Sequence, residues 1–175
     1  MGGISRRGLI GTAAGAAPLV MLGGSLCGAK ASAAVLLVHD DTLPAACRFA
    51  AHAATLGASS QPLRGERVRL VRQLLAQQPA RVFGMTRHAD HLLFAEIARE
   101  AGYVEVAAIQ HRQGQGPLPR CIVAARPLSS LAQAAGACWP EAFAELALNI
   151  KATPSTIAEA PRPAPAFSWV LQRKG

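Results

Sequence analysis

Short apolar segments alternate with longer amphipathic segments along most of this chain. Runs of about five apolar residues are typical of buried strands, whereas apolar residues recurring every three to four positions indicate helices with one buried face. Buried strands are predicted over residues 34–38, 81–86, 104–109, 121–125 and 167–171, with a short edge strand within 58–64. Helices are predicted over residues 44–56, 66–78, 89–101, 128–137 and 141–151.

Proline and glycine mark the ends of several of these helices. Pro44 stands at the first helical position, where a missing backbone donor costs nothing, and Pro79 ends the second helix. Gly57 and Gly102 follow the first and third helices, as glycines that cap helix C-termini do. The strand and helix assignments therefore agree with the local turn chemistry.

Strands that alternate with helices favour a parallel sheet, because each helix returns the chain across the sheet with the same hand. We expect an α/β fold with three layers: a doubly wound, mainly parallel sheet of about five strands, flavodoxin-like in size. Residues 34–151 form this predicted domain. Residues 152–175 are predicted to be a proline-rich connector followed by a terminal strand at the sheet edge.

Residues 1–33 differ in composition from the rest of the chain. Arg6 and Arg7 precede a long uncharged run of glycine, alanine and leucine. Its many glycines make the run weakly hydrophobic and a poor helix, which favours a cleavable export signal over a membrane anchor. The small residues Ala31 and Ala33 suit a signal peptidase, so cleavage is expected after one of them.

The leader resembles that of twin-arginine translocation substrates, which carry Ser or Thr, two arginines and then apolar residues. Here the motif is Ser5-Arg6-Arg7-Gly8-Leu9-Ile10. The resemblance implies transport in the folded state, with the twin-arginine export machinery and signal peptidase as partners and a periplasmic or secreted location. An ordinary secretory leader with adjacent arginines is the alternative, and it also places the mature chain outside the cytoplasm.

Removal of the leader leaves enough chain for one domain and changes its charge only moderately. The full chain has 18 basic and 10 acidic residues, a net charge of +8. Arg6, Arg7 and Lys30 leave with the leader, so the mature part carries 15 basic and 10 acidic residues, or +5. Aromatic residues make up 5% of the chain, too few to stack bases between the arginines. We therefore expect no nucleic-acid partner, and membrane contact only through the leader.

Three cysteines remain in the mature part. An oxidising compartment permits one disulfide among Cys47, Cys121 and Cys138, and the pair Cys121–Cys138 is the one to test first. Three buried thiols fit the sequence equally well, because cysteine is among the most buried residue types. Cys47 is expected to pack in the core rather than to act as a nucleophile.

Polar residues collect where the predicted parallel strands end. These residues are His39 and Asp40, then Thr86, Arg87 and His88, then His111. Since ligands of open α/β sheets bind at the carboxyl ends of the strands, we predict a ligand-binding site formed by these six residues. Solvated loop ends with no ligand are the simpler alternative.

The predicted site suits two kinds of chemistry. Thr86 and Arg87 at a helix N-terminus favour a phosphate or carboxylate, because backbone amides and a guanidinium would bind the same oxygens. His39, Asp40 and His88, together with His111, would instead suit a metal or an acid–base site. No metal is assigned from the sequence.

Common catalytic motifs are absent from the sequence. It contains no GxGxxG, Walker loop, CxxC or GxSxG, so no cofactor is assigned and nucleotide, dithiol and serine-hydrolase activities lack support. The strand over 82–86 and the helix after it resemble uncharacterised exported proteins of proteobacteria, which implies a fold but no activity. The leading hypothesis is a ligand-binding or accessory protein that takes a small anionic ligand or a protein partner. The alternatives are a small hydrolase or lyase with a His/Asp site, and a purely structural partner.

Overall fold

A computed structural model describes residues 35–111, 118–119, 126–150 and 166–175. The strands are β1 (Val35–His39), β2 (Ser60–Pro62), β3 (Arg81–Thr86), β4 (Tyr103–His111), β5 (Leu118–Pro119) and β6 (Ala166–Arg173). The helices are α1 (Pro44–Thr55), α2 (Arg67–Ala76), α3 (His88–Glu100), α4 (Arg126–Ala135) and α5 (Trp139–Ala147). A single 3-10 turn, Gly136–Cys138, joins α4 to α5. The predicted leader, the predicted strand over 121–125 and the connector over 152–165 lie outside the described residues.

The helix boundaries follow the local signals in the sequence. Pro44 is the first residue of α1, and Gly57 adopts a left-handed φ of 83° just after its end. Gly102 has the same φ of 83° after α3, and its amide donates to the carbonyl of Arg99. Glu66 precedes α2, where its carboxylate accepts from the amides of Val68 and Arg69. The predictions for the start of α1 and for the ends of α1 and α3 are confirmed.

The sheet is mixed, so the prediction of a mainly parallel sheet is wrong. Its strand order is β2-β1-β3-β6-β4-β5. β1 pairs in parallel with β2 and β3, whereas β6 is antiparallel to both β3 and β4, and β5 is antiparallel to β4. The α/β class itself is confirmed. Hydrophobic patterning reports burial but not strand direction, which is why the pattern did not reveal the antiparallel strands.

The terminal strand lies inside the sheet and not at its edge, which corrects the second prediction about topology. β6 is hydrogen-bonded on one side to β3 and on the other to β4, and residues 166–171 are all buried. A strand with neighbours on both sides satisfies its backbone groups along both edges. The final apolar segment therefore joins the part of the sheet made by β1, β2 and β3 to β4.

The buried hydrophobic residues form two clusters. The first contains Leu37 of β1 with side chains of α1, α4 and α5, including Phe49 and Phe143. The second contains Val38 of β1 with side chains of α2 and α3, including Phe94. Because neighbouring residues of a strand point to opposite faces, Leu37 and Val38 contribute to different clusters.

Gly84 in β3 allows the close approach of a buried indole ring. A Cβ atom at this position would lie 2.1 Å from Cε2 of Trp169. Trp169 is 0% exposed and donates from Nε1 to Oγ1 of Thr86, 3.0 Å away. The glycine is therefore required by the packing of the second cluster.

Of the described cysteines, Cys47 is a free thiol. Cys47 is exposed, which corrects the expectation that it packs in the core, and its Sγ donates to the carbonyl of Asp41 at 3.2 Å. Phe49, two residues further along α1, points into the core instead. Cys138 is half-buried, and Cys121 lies outside the described residues. None of the helices described here is long and apolar enough to cross a lipid bilayer.

Candidate functional site

The carboxyl ends of β1 and β3 lie side by side at a reversal of the chain topology. From β1 the chain passes through α1 to β2 on one side, and β3 occupies the other side. Open α/β sheets form a crevice at such a reversal, because the following helices start on either side of it. We refer to residues 39–42 and 86–90, which occupy this position, as the β1–β3 edge.

Three side chains of the β1–β3 edge form one hydrogen-bonded network. Arg87 donates from Nη2 to Oγ1 of Thr42 at 2.7 Å, and the Thr42 hydroxyl donates to Oδ1 of Asp40 at 2.6 Å. The amide of Thr42 also donates to this Oδ1, at 2.9 Å. Nε of Arg87 lies 3.3 Å from Oδ2 of Asp40. A guanidinium after β3 is thus bound to the loop after β1.

Burial separates the roles of the two charged residues in this network. The Asp40 side chain is 3% exposed, whereas that of Arg87 is 59% exposed. A buried carboxylate is stable only when hydrogen bonds and an opposite charge replace its water, and Thr42 and Arg87 supply both. Asp40 therefore organises the loop, while Arg87 also faces solvent.

Two more ion pairs accompany this network. Arg64 lies after β2 and binds Asp41 with an Nε to Oδ2 distance of 2.5 Å. Arg67 at the start of α2 binds Asp90 in the first turn of α3 at 3.1 Å. The three acidic residues near this edge, including Asp40, are thus each matched by an arginine. The formal side-chain charges of these pairs sum to zero.

The helices that start at this edge add positive partial charge. Neither α1, preceded by Leu43, nor α3, preceded by Arg87, has a side-chain hydrogen bond at its N-cap. α2 differs, because the carboxylate of Glu66 accepts from two amides of its first turn. Uncapped amides at a helix N-terminus attract anions. With the ion pairs balanced, the helix ends favour a negatively charged ligand.

His39 is held at the edge of the sheet by β2. Its Nδ1 lies 2.9 Å from Oγ of Ser60, and the residue is 9% exposed. Burial lowers the pKa of His39, with Arg64 acting in the same direction and the two neighbouring aspartates opposing it. A neutral imidazole is therefore favoured here near neutral pH.

His88 belongs to a stack of aromatic rings on the second cluster. Its ring lies 4.3 Å from that of Phe167, with 20° between the planes. His91, one helical turn later, is 1% exposed, and its ring lies 5.7 Å from those of both Phe167 and Trp169. The predicted site residue Thr86 is 0% exposed and binds Trp169 and the carbonyl of Arg87.

His91 was not among the six predicted site residues, although it is the most buried histidine. Nε2 lies 2.5 Å from Oε2 of Glu105, and no described residue binds the buried Nδ1. The spacing from His88 indicated a shared helix face, but the contact with Glu105 of β4 had no sequence signal.

His111 binds a buried hydroxyl on the side of the first cluster. Its Nε2 lies 2.8 Å from Oγ of Ser168, which also accepts from Nε1 of Trp139 at 3.0 Å. Trp139 is a donor only, whereas the direction of the bond between Ser168 and His111 depends on which ring nitrogen of the histidine carries the proton. Burial lowers the pKa of His111 to about 4.

The Ser168–His111 pair has the spacing of a nucleophile and its base but not their environment. Ser168 is 0% exposed, so its Oγ is closed to a substrate. An imidazole with a pKa near 4 is a weak base at neutral pH. The arrangement is that of a buried structural hydrogen-bond chain, and Ser168 was missed because an isolated serine in an apolar strand has no distinguishing pattern.

The structure brings together Asp40 and Arg87 but does not assemble the predicted histidine site. β3 and β6 lie between β1 and β4, so His39 and His111 are separated by three strand spacings, about 14 Å. His88 packs on the second cluster and His111 on the first. Across the described part of the chain, no three His, Cys, Asp or Glu side chains lie close enough to hold a metal ion. The insertion of β6 between β3 and β4 is what separates His111 from His39.

Comparison of the chain with protein-family models, curated proteins and solved structures finds no match. The site's geometry is therefore the basis for assigning a function.

Proposed function

We propose that this protein is an exported binding or accessory domain that takes a small anion at the β1–β3 edge. The observation that carries the proposal is the position of Arg87. Its guanidinium follows β3, reaches the loop after β1, and remains 59% exposed between two helix N-termini without side-chain caps. Phosphate and carboxylate are the groups such donors bind best.

The contacts of Arg87 leave donors for a ligand. Nε faces Asp40 and Nη2 donates to Thr42, while a guanidinium carries five N–H groups in all. An anion bound by the remaining donors would keep the Asp40 network intact. Arg64, with a side chain 72% exposed, is placed beside the same edge by Asp41 and would add a second cation.

A titration with inorganic phosphate tests this assignment. We expect the full-length chain to bind phosphate and the Arg87→Gln variant to bind it about tenfold more weakly, as loss of a charge-assisted hydrogen bond predicts. Arg99→Gln is the matched control, because Arg99 is an exposed arginine at the far end of the same helix, where it pairs with Glu96. Equal affinity in the wild type and in Arg87→Gln would refute the assignment.

The competing function is a small hydrolase or lyase that uses His39, Asp40 and His88. Its support is the location of these residues near the carboxyl ends of neighbouring strands. However, the imidazole of His39 contacts Ser60 and Asp40 is engaged by Thr42 and Arg87. Stoichiometric zinc or another transition metal in the purified chain, lost in His88→Ala, would favour this function over anion binding.

The proposed location depends on residues 1–33 acting as a twin-arginine leader. We expect the full-length chain to be exported and shortened when it is expressed in a bacterium, and replacement of both Arg6 and Arg7 by lysine to leave it unprocessed in the cytoplasm. Lys30→Gln is a control that removes one charge outside the arginine pair. Export that continues in the double-lysine variant would indicate an ordinary secretory leader.

A three-layer arrangement of helices about the sheet is part of the same proposal. Leu37 and Val38 are adjacent in β1 but belong to different buried clusters, which supports this arrangement. In such an arrangement α1 and α3 would start on opposite faces of the sheet and converge on the β1–β3 edge, as the anion site requires.

A further inference from the structure

A cleft lies at the other end of the sheet from the proposed anion site. It is bounded by the last turns of α2 and α3 and by the end of β6, and its volume is about 450 Å³. The six residues of β3 separate the two ends by about 17 Å. None of the six site residues predicted from the sequence lines this cleft.

The cleft has an apolar floor and a polar rim. Leu75, Ile97 and Tyr103 are buried and form part of its lining. The Tyr103 hydroxyl donates to the carbonyl of Pro79 at 2.7 Å, so this hydroxyl already has a partner within the protein. A volume of this order, with apolar residues at the floor and a few charged groups at the rim, suits a small molecule.

Two arginines on the rim are available to a ligand. Arg72 of α2 and Arg173 of β6 line the cleft, are exposed, and have no ion-pair partner among the residues that the structure describes. Arg173 is fixed by its backbone, because its amide donates to the carbonyl of Ala80 and its Cα pairs with that of Tyr103. This arrangement differs from the β1–β3 edge, where each of the three arginines is paired.

The rim also carries negative charge. Glu100, the last residue of α3, lines the same cleft, and both α2 and α3 end beside it. The carbonyl end of a helix has a partial negative charge that favours a cation. Two arginines, one glutamate and two negative helix ends therefore border the same cleft, which suits a ligand with both charges better than a simple anion.

We propose that this cleft binds an amino-acid-type zwitterion, with the ligand carboxylate at Arg72 and Arg173, its ammonium at Glu100 and its apolar side chain on Leu75, Ile97 and Tyr103. The proposal does not depend on the anion site, because it uses different residues at the opposite end of the sheet. A guanidinium can bind a carboxylate through two parallel hydrogen bonds.

Three probes with one carbon skeleton test the charge requirement. L-leucine carries both charges, 4-methylpentanoate only the carboxylate, and 3-methylbutan-1-amine only the ammonium. In an NMR titration of the full-length chain, we expect leucine to shift the methyl signals of Leu75 and Ile97 and to bind at least about tenfold more tightly than either other probe. Equal binding of all three, or no shift with leucine, overturns the proposal. The absence of a shift with leucine is expected if Arg72 pairs with Glu100 across the cleft in solution.

Substitutions that remove one charge show which side chain binds each charged group of the ligand. Arg173→Gln should weaken leucine binding about tenfold while leaving binding of the amine unchanged, and Glu100→Gln should remove the preference for leucine over 4-methylpentanoate. Arg69→Gln is the matched control, because Arg69 is an exposed arginine of α2 that lines the neighbouring surface and not this cleft. Unchanged leucine affinity in Arg173→Gln overturns the proposal. Arg87→Gln should leave leucine binding intact, which keeps the outcome separate from that of the phosphate titration.

Discussion

The arginines at the two ends of the sheet differ in their ion pairing. At the β1–β3 edge Arg64, Arg67 and Arg87 are each paired with an aspartate, and one of these aspartates, Asp40, is buried. At the opposite end Arg72 and Arg173 border a cleft and have no such partner in the described part of the chain. The paired arginines stabilise their loops, including Arg87, which keeps donors for a ligand, whereas Arg72 and Arg173 have no such structural contact in the described part of the chain. The comparison predicts large stability effects at the first end and small ones at the second.

The largest loss of stability is expected from a substitution within β3, between the two ends of the sheet. Gly84→Ala would place a methyl group in the space of the Trp169 ring, which is held by Thr86 of the β1–β3 edge. We expect a loss of about 3 kcal/mol in the free energy of unfolding, the upper range for overpacking a core. Urea unfolding followed by tryptophan fluorescence measures it.

Gly175→Ala is the control for this change, because nothing lies within 4 Å of a Cβ at that position. If Gly84→Ala were as stable as the wild type, the packing of Trp169 against β3 would be incorrect. The link between the sheet and the β1–β3 edge would then lose its support.

Acid should destabilise the protein through the carboxyl ends of the strands, where both histidines with lowered pKa values lie. The pKa of His111 is about 4 in the folded protein because of burial, against about 6.5 in the unfolded chain. The unfolded state therefore binds a proton first. Stability is fully present above about pH 6.5 and falls as the pH decreases toward 4, by about 2 kcal/mol after allowance for partial solvent contact.

His111→Gln isolates this contribution, since His39 acts in the same direction and remains in the variant. Urea unfolding at several pH values between 7 and 4 should show a smaller pH dependence in His111→Gln than in the wild type. Equal pH dependence of the two proteins would show that His111 is not buried as a neutral ring.

Removing the buried carboxylate tests whether the β1–β3 edge is structural. In Asp40→Ala the amide and hydroxyl of Thr42 lose their acceptor, and Arg87 loses its ion-pair partner. We expect a loss of about 2 kcal/mol in the free energy of unfolding. A change below about 0.5 kcal/mol, the usual range for surface substitutions, would show that this edge is no more ordered than an ordinary loop.

The smallest effects are expected at the cleft. Arg72→Gln and Arg173→Gln remove charges without described ion-pair partners, so each should change the free energy of unfolding by less than about 0.5 kcal/mol. Thermal and urea unfolding measure this directly. A loss comparable to that of Asp40→Ala would mean that these arginines are structural, and the contrast between the two ends would not hold.

Local signals in the sequence predicted most elements but not their assembly. The ends of α1 and α3 could be predicted because Pro44, Gly57 and Gly102 favour particular backbone conformations wherever they occur. The position of β6 could not, because an apolar strand pattern fits a central and an edge position alike, and either pairing direction. The same error affected the site, since β4 placed directly beside β3 would have brought His111 closer to His39.

The candidate site was predicted in part for the same reason. Asp40 and Arg87 follow strands that are adjacent and parallel, so the rule about carboxyl ends placed them together correctly. Thr42 and Arg64 were missed as members of the site, because their roles depend on the shape of the loop after β1 and on the position of β2. Arg72 and Arg173 appeared as helix-surface and terminal charges, and only the fold places them around one cleft.

The amino-acid sequence alone determined the ends of α1 and α3, the buried strands β1 and β3, and the polar residues that follow them, because these depend on neighbouring residues and on hydrophobic periodicity. The tertiary structure decided which strands are neighbours, that Cys47 faces solvent, that Ser168 meets His111, and which arginines are paired. These outcomes depend on contacts between segments distant in the chain, whose energies are set by packing and register and leave no local pattern.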